Sequence, residues 1–297
     1  RSSGTGGFAF WGESTAPVVR NLNTAEGAEA YGLFQDELEG VRFVPFRRRD
    51  GEQASCLNLN RAQRPQLLGV DPEALASRNA FTFAQVSVEI PEDSSAWNLL
   101  SSNAPDGTVP GIADINSIMW AMGKNVGDIL EFQNTQGETF RVRLVAAVAN
   151  SILQGNVIIS ESAFLQHYPN EPGYKTFLLD APAEQKERVA ITLTRAMEDD
   201  GLSLSDTIER MRAFNAVQNT YLSTFQLLGG LGMVLGSFGL GVVVLRNLLD
   251  RRTELGLLAA VGFPRNRIRK LVLLEHFGLL SAGLFTGSLS ALIAVFP

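Results

Sequence analysis

Two long apolar segments stand near the C-terminal end of the chain, and no charged residue interrupts either of them. The first uncharged run covers residues 213–245 and the second covers residues 277–297. A helix needs about 20 apolar residues to cross a hydrocarbon core of about 30 Å. The pattern therefore predicts two membrane-spanning helices, at residues 221–245 and 271–297.

The loop between the two apolar segments, residues 246–270, is strongly basic. It carries seven Lys and Arg residues against two acidic residues. An excess of Lys and Arg in a short loop is typical of the cytoplasmic side of a membrane. We therefore expect a multi-pass protein of the plasma (inner) membrane, with this loop in the cytoplasm and residues 1–220 largely outside it.

The same loop has an internal pattern of its own. The segment Asp250–Gly262 has charges at its start and an apolar body, which predicts a short amphipathic helix that ends at the glycine. Pro264 follows and is well placed to begin the next helix, because proline is tolerated in a first helical turn. The alternative is a charged loop that only sets the membrane topology, for which isolated arginines would be sufficient.

Residues 1–205 contain short segments in which apolar and polar positions alternate, as they do in half-buried strands. This alternation predicts a strand within Phe81–Ile90, and two runs that flank Asn134–Gly137 predict a hairpin with glycine at its turn. Short apolar runs predict strands at residues 157–159 and 177–179. The first 78 residues are expected to be loops around short strands.

Helical spacing of apolar residues occurs twice among these strands. One helix is predicted at Asp114–Met122, with the aspartate as its cap, and another at Ala183–Asp199. Helices interspersed with mostly antiparallel strands predict an α+β extracytoplasmic domain at residues 1–205.

A further helix is predicted to begin at Asp206, because Asp206 and Glu209 have capping-box spacing. If this helix continues to Leu245, it is about 60 Å long at 1.5 Å per residue. Residues 206–220 would then form a stalk that joins the exported domain to the all-α membrane helices. The alternative is a break near residues 215–219, which would uncouple the exported domain from the membrane.

Both predicted spans carry the GxxxG pattern, which lets helix backbones approach closely in lipid. The first pattern is formed by Gly232 and Gly236, and the second by Gly283 and Gly287. The pattern predicts tight helix packing at these four positions and permits a dimer.

Glu275 lies about one helical turn inside the second predicted span, next to His276. Charge within a span is costly and often functional, so Glu275 is a candidate functional residue of the membrane part. The alternative is that its side chain reaches back to the cytoplasmic interface.

Composition excludes several classes of function. Residues 1–220 carry 18 Lys and Arg against 28 Asp and Glu, and such an acidic balance gives no support to nucleic-acid binding. Cys56 is the only cysteine, so no internal disulfide forms. One interpretation is that Cys56 is a small buried residue, and the other is that it is a redox or acylation site. Because Arg1–Gly4 carries no apolar signal region, we expect the chain to be part of a longer protein.

Catalytic motifs are missing from the sequence. No GxxxxGK[ST] pattern is present, so ATP binding through a P-loop is not expected. His167 and His276 are the only histidines, and neither has metal-ligand spacing with another histidine or the cysteine. The sequence therefore predicts no enzyme activity, no metal site and no cofactor.

The segment Arg246–His276, which reads RNLLDRRTELGLLAAVGFPRNRIRKLVLLEH, closely resembles the signature of FtsX-like permeases, the membrane subunits of MacB-type ABC transporters. Further segments that resemble this family are residues 4–15, 55–60, 112–128, 150–161, 173–180 and 217–232.

This resemblance implies a MacB-like periplasmic core domain and an ABC-type ATPase as a separate partner subunit. In the family, the short cytoplasmic helix contacts the ATPase as a coupling helix, and two permease units face each other in the lipid membrane. Motion driven by ATP is relayed through stalk helices to the exported domain, which is termed mechanotransmission. The positions that the resemblance assigns to ATPase coupling are Asp250, Arg251, Arg252, Glu254, Leu255 and Leu258.

Three hypotheses of function follow from this combination. The first is a permease that couples ATP hydrolysis to the export or extraction of a lipid, lipoprotein, peptide or drug. The second is a membrane scaffold that regulates an exported enzyme without moving a substrate. The third is a sensor whose exported domain binds a ligand and signals through the cytoplasmic loop.

Overall fold

The computed structural model describes residues 4–51, 65–88, 90–91, 94–102 and 106–295, with the backbone alone at residues 215–222 and 294–295. The chain forms two compact units, Arg1–Val217 and Gln218–Pro297. Cys56, for which the sequence leaves two interpretations open, lies outside the described residues.

The first unit is built on one mixed β-sheet, and the strands of this sheet are spread along most of the unit's sequence. Within the described residues these strands are β1 (Phe10–Val18), β2 (Arg42–Arg49), β3 (Gln66–Val70), β4 (Phe83–Val86), β5 (Val109–Asp114), β6 (Ile129–Gln133), β7 (Thr139–Val148), β8 (Asn156–Ser160), β9 (Tyr174–Asp180) and β10 (Ser203–Asp206). Its α-helices are α1 (Ala25–Glu29), α2 (Pro72–Ala76), α3 (Glu161–His167) and α4 (Lys186–Ala196). Two 3₁₀ helices, Ala96–Ser101 and Ala183–Gln185, and a π-helix, Ser117–Ala121, complete this unit.

The strands follow the order β10-β1-β9-β2-β3-β8-β5-β7-β4, and β6 pairs with β7 beside this path. Most neighbours are antiparallel, but β3 and β8 run parallel, as do β5 and β7. Parallel pairing requires a long connection between the two strands. The mixed sheet with helices confirms the predicted α+β class.

The predicted hairpin is formed by β6 and β7. Phe132 lies opposite Phe140, and Gly137 in the connection has a φ of 82°, which glycine adopts without strain. Along β7, Phe140, Val142 and Leu144 are buried. The hairpin prediction is confirmed. It could be made from the sequence because the turn glycine and the alternation on both strands are local features.

The first 78 residues require a correction, because they contain the long strands β1 and β2 in place of short ones. Strand β1 pairs with β9 and β10 through partners such as Phe10 with Leu179 and Trp11 with Ser205. These partners are more than 150 positions away along the chain. Strand formation here depends on distant pairing and packing, which the local pattern of residues does not reveal.

The helix predicted at Asp114–Met122 is present in shortened form. Asp114 ends strand β5, and residues 115–121 are helical, with Ser117–Ala121 forming a π-helical turn. The carboxylate does cap the backbone, since it accepts a hydrogen bond from the N–H of Asn116 at 2.9 Å. The same carboxylate also accepts hydrogen bonds from the N–H and the hydroxyl of Ser151, so the aspartate belongs to the core of the domain.

The predicted helix at residues 183–199 is present in shortened form, as a 3₁₀ turn followed by α4. The apolar side chains of Val189, Leu193 and Met197 are fully buried. These side chains join an apolar cluster with Phe177 and Leu179 of β9. The helix therefore covers one face of the sheet near β9.

The second unit is helical. Helix α5 (Thr207–Asp250) begins in the first unit and ends in the second, and its backbone is helical through residues 215–219. It is followed by α6 (Arg252–Ala260) and α7 (Arg265–Val295). Residues Ser223–Asp250 and Arg265–Ile293 are long and apolar enough to cross a membrane, and they overlap the two predicted spans. Their side chains are largely exposed, as surfaces that face lipid or other membrane helices would be.

Candidate functional site

Helix α5 begins directly at the edge of the exported sheet, without an intervening loop. Strand β10 ends at Asp206, whose carboxylate accepts hydrogen bonds from the N–H groups of Ile208 at 2.7 Å and Glu209 at 3.2 Å. Burial alone would raise the pKa of Asp206, but hydrogen bonds from Lys186 and from these two N–H groups outweigh burial and lower it. The predicted helix start at Asp206 is confirmed, and the cap is charged.

Thr207, the first residue of α5, is hydrogen-bonded to the strand-edge segment before β1. Its hydroxyl donates to the carbonyl of Phe8 at 2.6 Å, and its N–H donates to the carbonyl of Ala9 at 3.2 Å. The side chain of Thr207 is buried. Buried hydroxyl donors need such partners, since an unsatisfied one costs about 1–3 kcal/mol. The helix start is thus hydrogen-bonded to two separate backbone carbonyls of the sheet.

Arg210 lies three positions after Thr207, in the first turn of α5, and also contacts strand β1. Its guanidinium carbon lies 4.5 Å from the centre of the Trp11 ring and 5.4 Å from the centre of the Phe214 ring. A guanidinium nitrogen is 4.0 Å from Glu13, which itself accepts a hydrogen bond from the indole N–H of Trp11 at 2.7 Å. Burial lowers the pKa of Arg210, while Glu13 acts in the opposite direction. We refer to Thr207, Arg210, Trp11 and Glu13 as the stalk junction.

At its other end, α5 leads into the basic loop, residues 246–270. Asp250 is the last residue of α5, and the Oδ2 atom of Asp250 lies 3.8 Å from Nε of Arg246, one turn earlier. Arg251 forms the corner between α5 and α6, and Arg252 is the first residue of α6. The short helix predicted in the loop is present, and Gly262 just after it has a φ of 95°. The charges at the start of the loop thus occupy the end of one helix and the start of the next.

Arg251 and Glu275 form an ion pair within the second unit, in which one guanidinium nitrogen contacts both carboxylate oxygens. The Nη1 atom of Arg251 lies 2.9 Å from Oε1 and 2.8 Å from Oε2 of Glu275, and its Nε lies 3.2 Å from Oε2 of Glu254. Hydrogen bonds from Arg251 to Glu254 and Glu275 raise the pKa of the guanidinium. Arg251, which the resemblance assigns to ATPase coupling, is therefore a direct partner of Glu275, the candidate residue within the second predicted span.

Leu255 and Leu258 occupy one side of α6 and are half-buried. Leu255 lines a cleft with Leu271 and Val272 of α7, close to the Arg251–Glu275 pair. Leu257 lies on the other side of α6 and is 67% exposed. The contact of this loop with an ATPase stays a prediction for all six residues.

The four glycines of the GxxxG patterns border open space. Within the described residues, no atom beyond the local helix backbone lies within 4 Å of the position that a Cβ on Gly232, Gly236, Gly283 or Gly287 would take. These surfaces are small and flat enough for a neighbouring helix to approach closely. Their role in helix packing stays a prediction.

The comparison with known families decides the class of this membrane segment. Residues 227–296, which include most of α5 after the stalk junction and all of α6, match the FtsX-like permease C-terminal family. This segment is similar to the C-terminal part of FtsX-like permeases. The resemblance predicted from the sequence is confirmed, and the permease match includes every residue assigned to ATPase coupling, the four glycines and Glu275.

Two solved structures align with the chain at low sequence identity. The periplasmic region of MacB from Actinobacillus actinomycetemcomitans aligns with a TM-score of 0.38 and 11% identity over 71% of this chain and 94% of its own. The extracellular domain of the noncanonic ABC-type transporter YknZ from Gram-positive bacteria aligns with a TM-score of 0.31 and 11% identity over 66% of this chain and 100% of its own. No curated protein sequence matches the chain.

The two histidines lie in different units of the chain. The His167 ring is stacked on Phe140 with 3.8 Å between ring centres, and burial lowers its pKa. In α7, Nδ1 of His276 lies 2.8 Å from the carbonyl oxygen of Val272. Within the residues that the structure describes, no three His, Cys, Asp or Glu side chains are grouped as metal ligands would be.

The sequence does not reveal the stalk junction. The capping pattern identifies Asp206 as a helix start, but no local pattern connects Arg210 with Trp11, which is 199 positions away. Only the spacing of Arg210 and Phe214 within α5 was available as a signal, and such i,i+4 pairs are common in helices. The contact depends on strand β1 lying between β9 and β10.

Proposed function

We propose that the chain is the permease subunit of an ATP-driven ABC transporter, in which a partner ATPase drives motion of the exported domain. In this proposal the chain is not itself an enzyme, and hydrolysis takes place on the partner in the cytoplasm. The work done is the export or extraction of a lipid, lipoprotein, peptide or drug. The protein lies in the inner membrane as a dimer of permease units, with the first unit outside the cytoplasm.

The observation that carries this proposal is the stalk junction. Thr207 and Arg210, in the first turn of α5, are bonded to the strand β1 region of the exported sheet. Since β10 leads into α5 without a loop, a displacement of the helix start must also displace β10 and its neighbour β1. A flexible linker at this position would absorb such a displacement. The junction thus supports transmission of motion into the exported domain.

The other end of α5 supports the cytoplasmic half of the proposal. Its last residue, Asp250, is followed by the corner residue Arg251 and then by α6, which lies in the basic loop. The basic charge of the loop favours the cytoplasmic side, where ATP is available. The family match covers this loop together with both candidate spans.

The proposal is tested with the full-length permease and its neighbouring ATPase in lipid nanodiscs. Hydrogen–deuterium exchange would be compared with and without ATP, in β10 and the first turn of α5. We expect ATP to change exchange in these segments, and an ATPase variant that cannot bind ATP to abolish the change. Changes confined to residues 246–270 would contradict mechanotransmission. Failure of any ATPase to co-purify would contradict the assignment to ABC transporters.

A further inference from the structure

A cleft of about 380 Å³ lies in the first unit, at a point where three elements meet. It is bordered by the end of the 3₁₀ helix Ala96–Ser101, by the start of strand β5 and by helix α3. Small-molecule sites usually measure about 300–1,000 Å³, so this cleft has room for a small ligand. We term it the polar cleft, because hydroxyl, amide and imidazole groups form much of its wall: Ser101, Ser102, Thr108, Ser162, Gln166 and His167.

The wall of the polar cleft carries no formal charge, since none of the described side chains that line it is Asp, Glu, Lys or Arg. Two carboxylates that neighbour it in the sequence are paired elsewhere. Asp106 forms an ion pair with Arg143, and Glu161 forms one with Arg47. Burial lowers the pKa of His167 from its usual value, so this imidazole is neutral at pH 7. An ionic ligand would meet no opposite charge here, and its desolvation would be costly.

Three side chains of the polar cleft are available to a ligand. Among the described residues, neither the Ser101 hydroxyl, the Gln166 amide nor the ring nitrogens of His167 have a hydrogen-bond partner. The orientation of the His167 ring is set by Phe140, which is stacked on one of its faces with 3.8 Å between ring centres. A hydroxyl, an amide and a neutral imidazole each both donate and accept hydrogen bonds. The cleft therefore matches a ligand whose polar groups are mainly hydroxyls.

The rest of the wall is apolar and is formed by Leu100, Val109, Pro110 and Ala163. Ligand sites commonly combine apolar walls with a few polar groups that fix the orientation of the ligand. A sugar ring suits such a site, because it has hydroxyls around its rim and C–H groups on its faces. A peptide short enough for the cleft would bring charged termini, which an uncharged wall does not pair.

We propose that the polar cleft binds a neutral carbohydrate group of one or two sugar units. Ser101, Gln166 and His167 hydrogen-bond the sugar hydroxyls, and Val109 and Pro110 contact the C–H face of the ring. This site goes beyond the proposed function, because carbohydrate binding here requires neither ATP nor a partner ATPase. Its failure would therefore leave the proposed function as it stands.

Binding is tested with the full-length protein in lipid nanodiscs, by saturation-transfer NMR with maltose and with N,N′-diacetylchitobiose as neutral disaccharides. We expect at least one of them to bind with a Kd of about 5 mM or tighter, and the anionic sugar glucuronic acid to bind at least about tenfold more weakly. Gln166→Leu should raise the Kd at least about fivefold, because a sugar hydroxyl loses its partner. The matched control is Gln136→Leu, the same change in an exposed turn, which should leave the Kd within about twofold.

A second variant, Ala163→Leu, tests the position of the site without removing a polar group. Its larger side chain occupies space in the cleft and should weaken binding at least about tenfold. Thermal unfolding checks that each variant is folded, and Gln166→Leu alone decides if Ala163→Leu is not. Absence of binding by both disaccharides at about 20 mM, or an unchanged Kd in the folded cleft variants, would overturn the proposal. Equal weakening by Gln136→Leu, or tighter binding of trialanine than of either disaccharide, would overturn it as well.

Discussion

The guanidinium of Arg210 lies 4.5 Å from the centre of the Trp11 ring, so the start of α5 is stacked on strand β1. Trp11 is almost fully buried, and its indole N–H is bonded to Glu13, which fixes the ring in its plane. A cation over a fixed tryptophan face is favourable because of the negative potential of the ring face. This contact joins a helix that leads to the membrane with the second strand from one edge of the exported sheet.

Removal of the Arg210 side chain should weaken this contact. We expect Arg210→Ala to lower the free energy of unfolding of the exported domain by about 1–2 kcal/mol, from the lost cation–π contact and lost packing of the side-chain stem. Thermal unfolding of the full-length protein, followed by tryptophan fluorescence, measures this. Arg212→Ala, an exposed arginine of the same helix, is the control and should have little effect. Equal effects of the two variants would contradict the assigned role of Arg210.

The hydroxyl of Thr207 provides a second, independent test of the stalk junction. We expect Thr207→Val, which keeps the shape but removes the donor to Phe8, to cost about 1–2 kcal/mol of domain stability. Thr207→Ser keeps the hydroxyl and should lose less. The order of the two unfolding midpoints checks the prediction, and a valine variant as stable as wild type would show that the hydrogen bond adds nothing.

Asp114 predicts a particular pH dependence. Burial raises its pKa above 3.8, although hydrogen bonds from Ser151 and Asn116 act in the opposite direction. For a raised pKa in the folded state, the contribution to stability is complete below the unfolded pKa and is lost as the pH rises through the folded pKa. Asp114→Asn cannot ionise. We therefore expect its stability relative to wild type to increase between about pH 4 and about pH 7.

The measurement for Asp114 is the difference in unfolding midpoint between variant and wild type across that pH range. Asp36→Asn replaces an exposed aspartate and serves as the control, for which the difference should stay constant. A difference for Asp114→Asn that does not change with pH would mean that burial of this carboxylate does not affect its ionisation.

The GxxxG glycines predict an effect on assembly rather than on folding of the chain. A Cβ atom at Gly236 or Gly283 would meet no atom within 4 Å beyond the local helix backbone, so each position has open space beside it within the described structure. We expect Gly236→Ile and Gly283→Ile to reduce the co-purification of two differently tagged copies several-fold, since bulky residues keep helix backbones apart. Gly278→Ile, which also borders open space but lies outside the patterns, is the control. Unchanged co-purification in all three variants would mean that these glycines do not contribute to the association of two copies.

Much of the membrane part could be predicted from the sequence because its signals are local. The length of an uncharged run and the charge of the loop after it are properties of neighbouring residues, and they indicate two spans and a cytoplasmic loop. The short helix α6 and the hairpin of β6 and β7 follow in the same way, from glycines at their ends and from the spacing of apolar positions. The resemblance to FtsX-like permeases rests on that same loop.

The contacts that connect these elements depend on the tertiary structure. Strand β1 pairs with residues near positions 178 and 205, and Arg251 pairs with a carboxylate 24 positions later. Such pairings depend on how distant segments are brought together, and many registers are compatible with one hydrophobic pattern. The sequence by itself determined the two apolar helices, the helix α6 and the hairpin, because each depends on a few neighbouring residues. The tertiary structure alone decided which residues hold these elements to one another, because each such contact joins residues that are far apart in the chain.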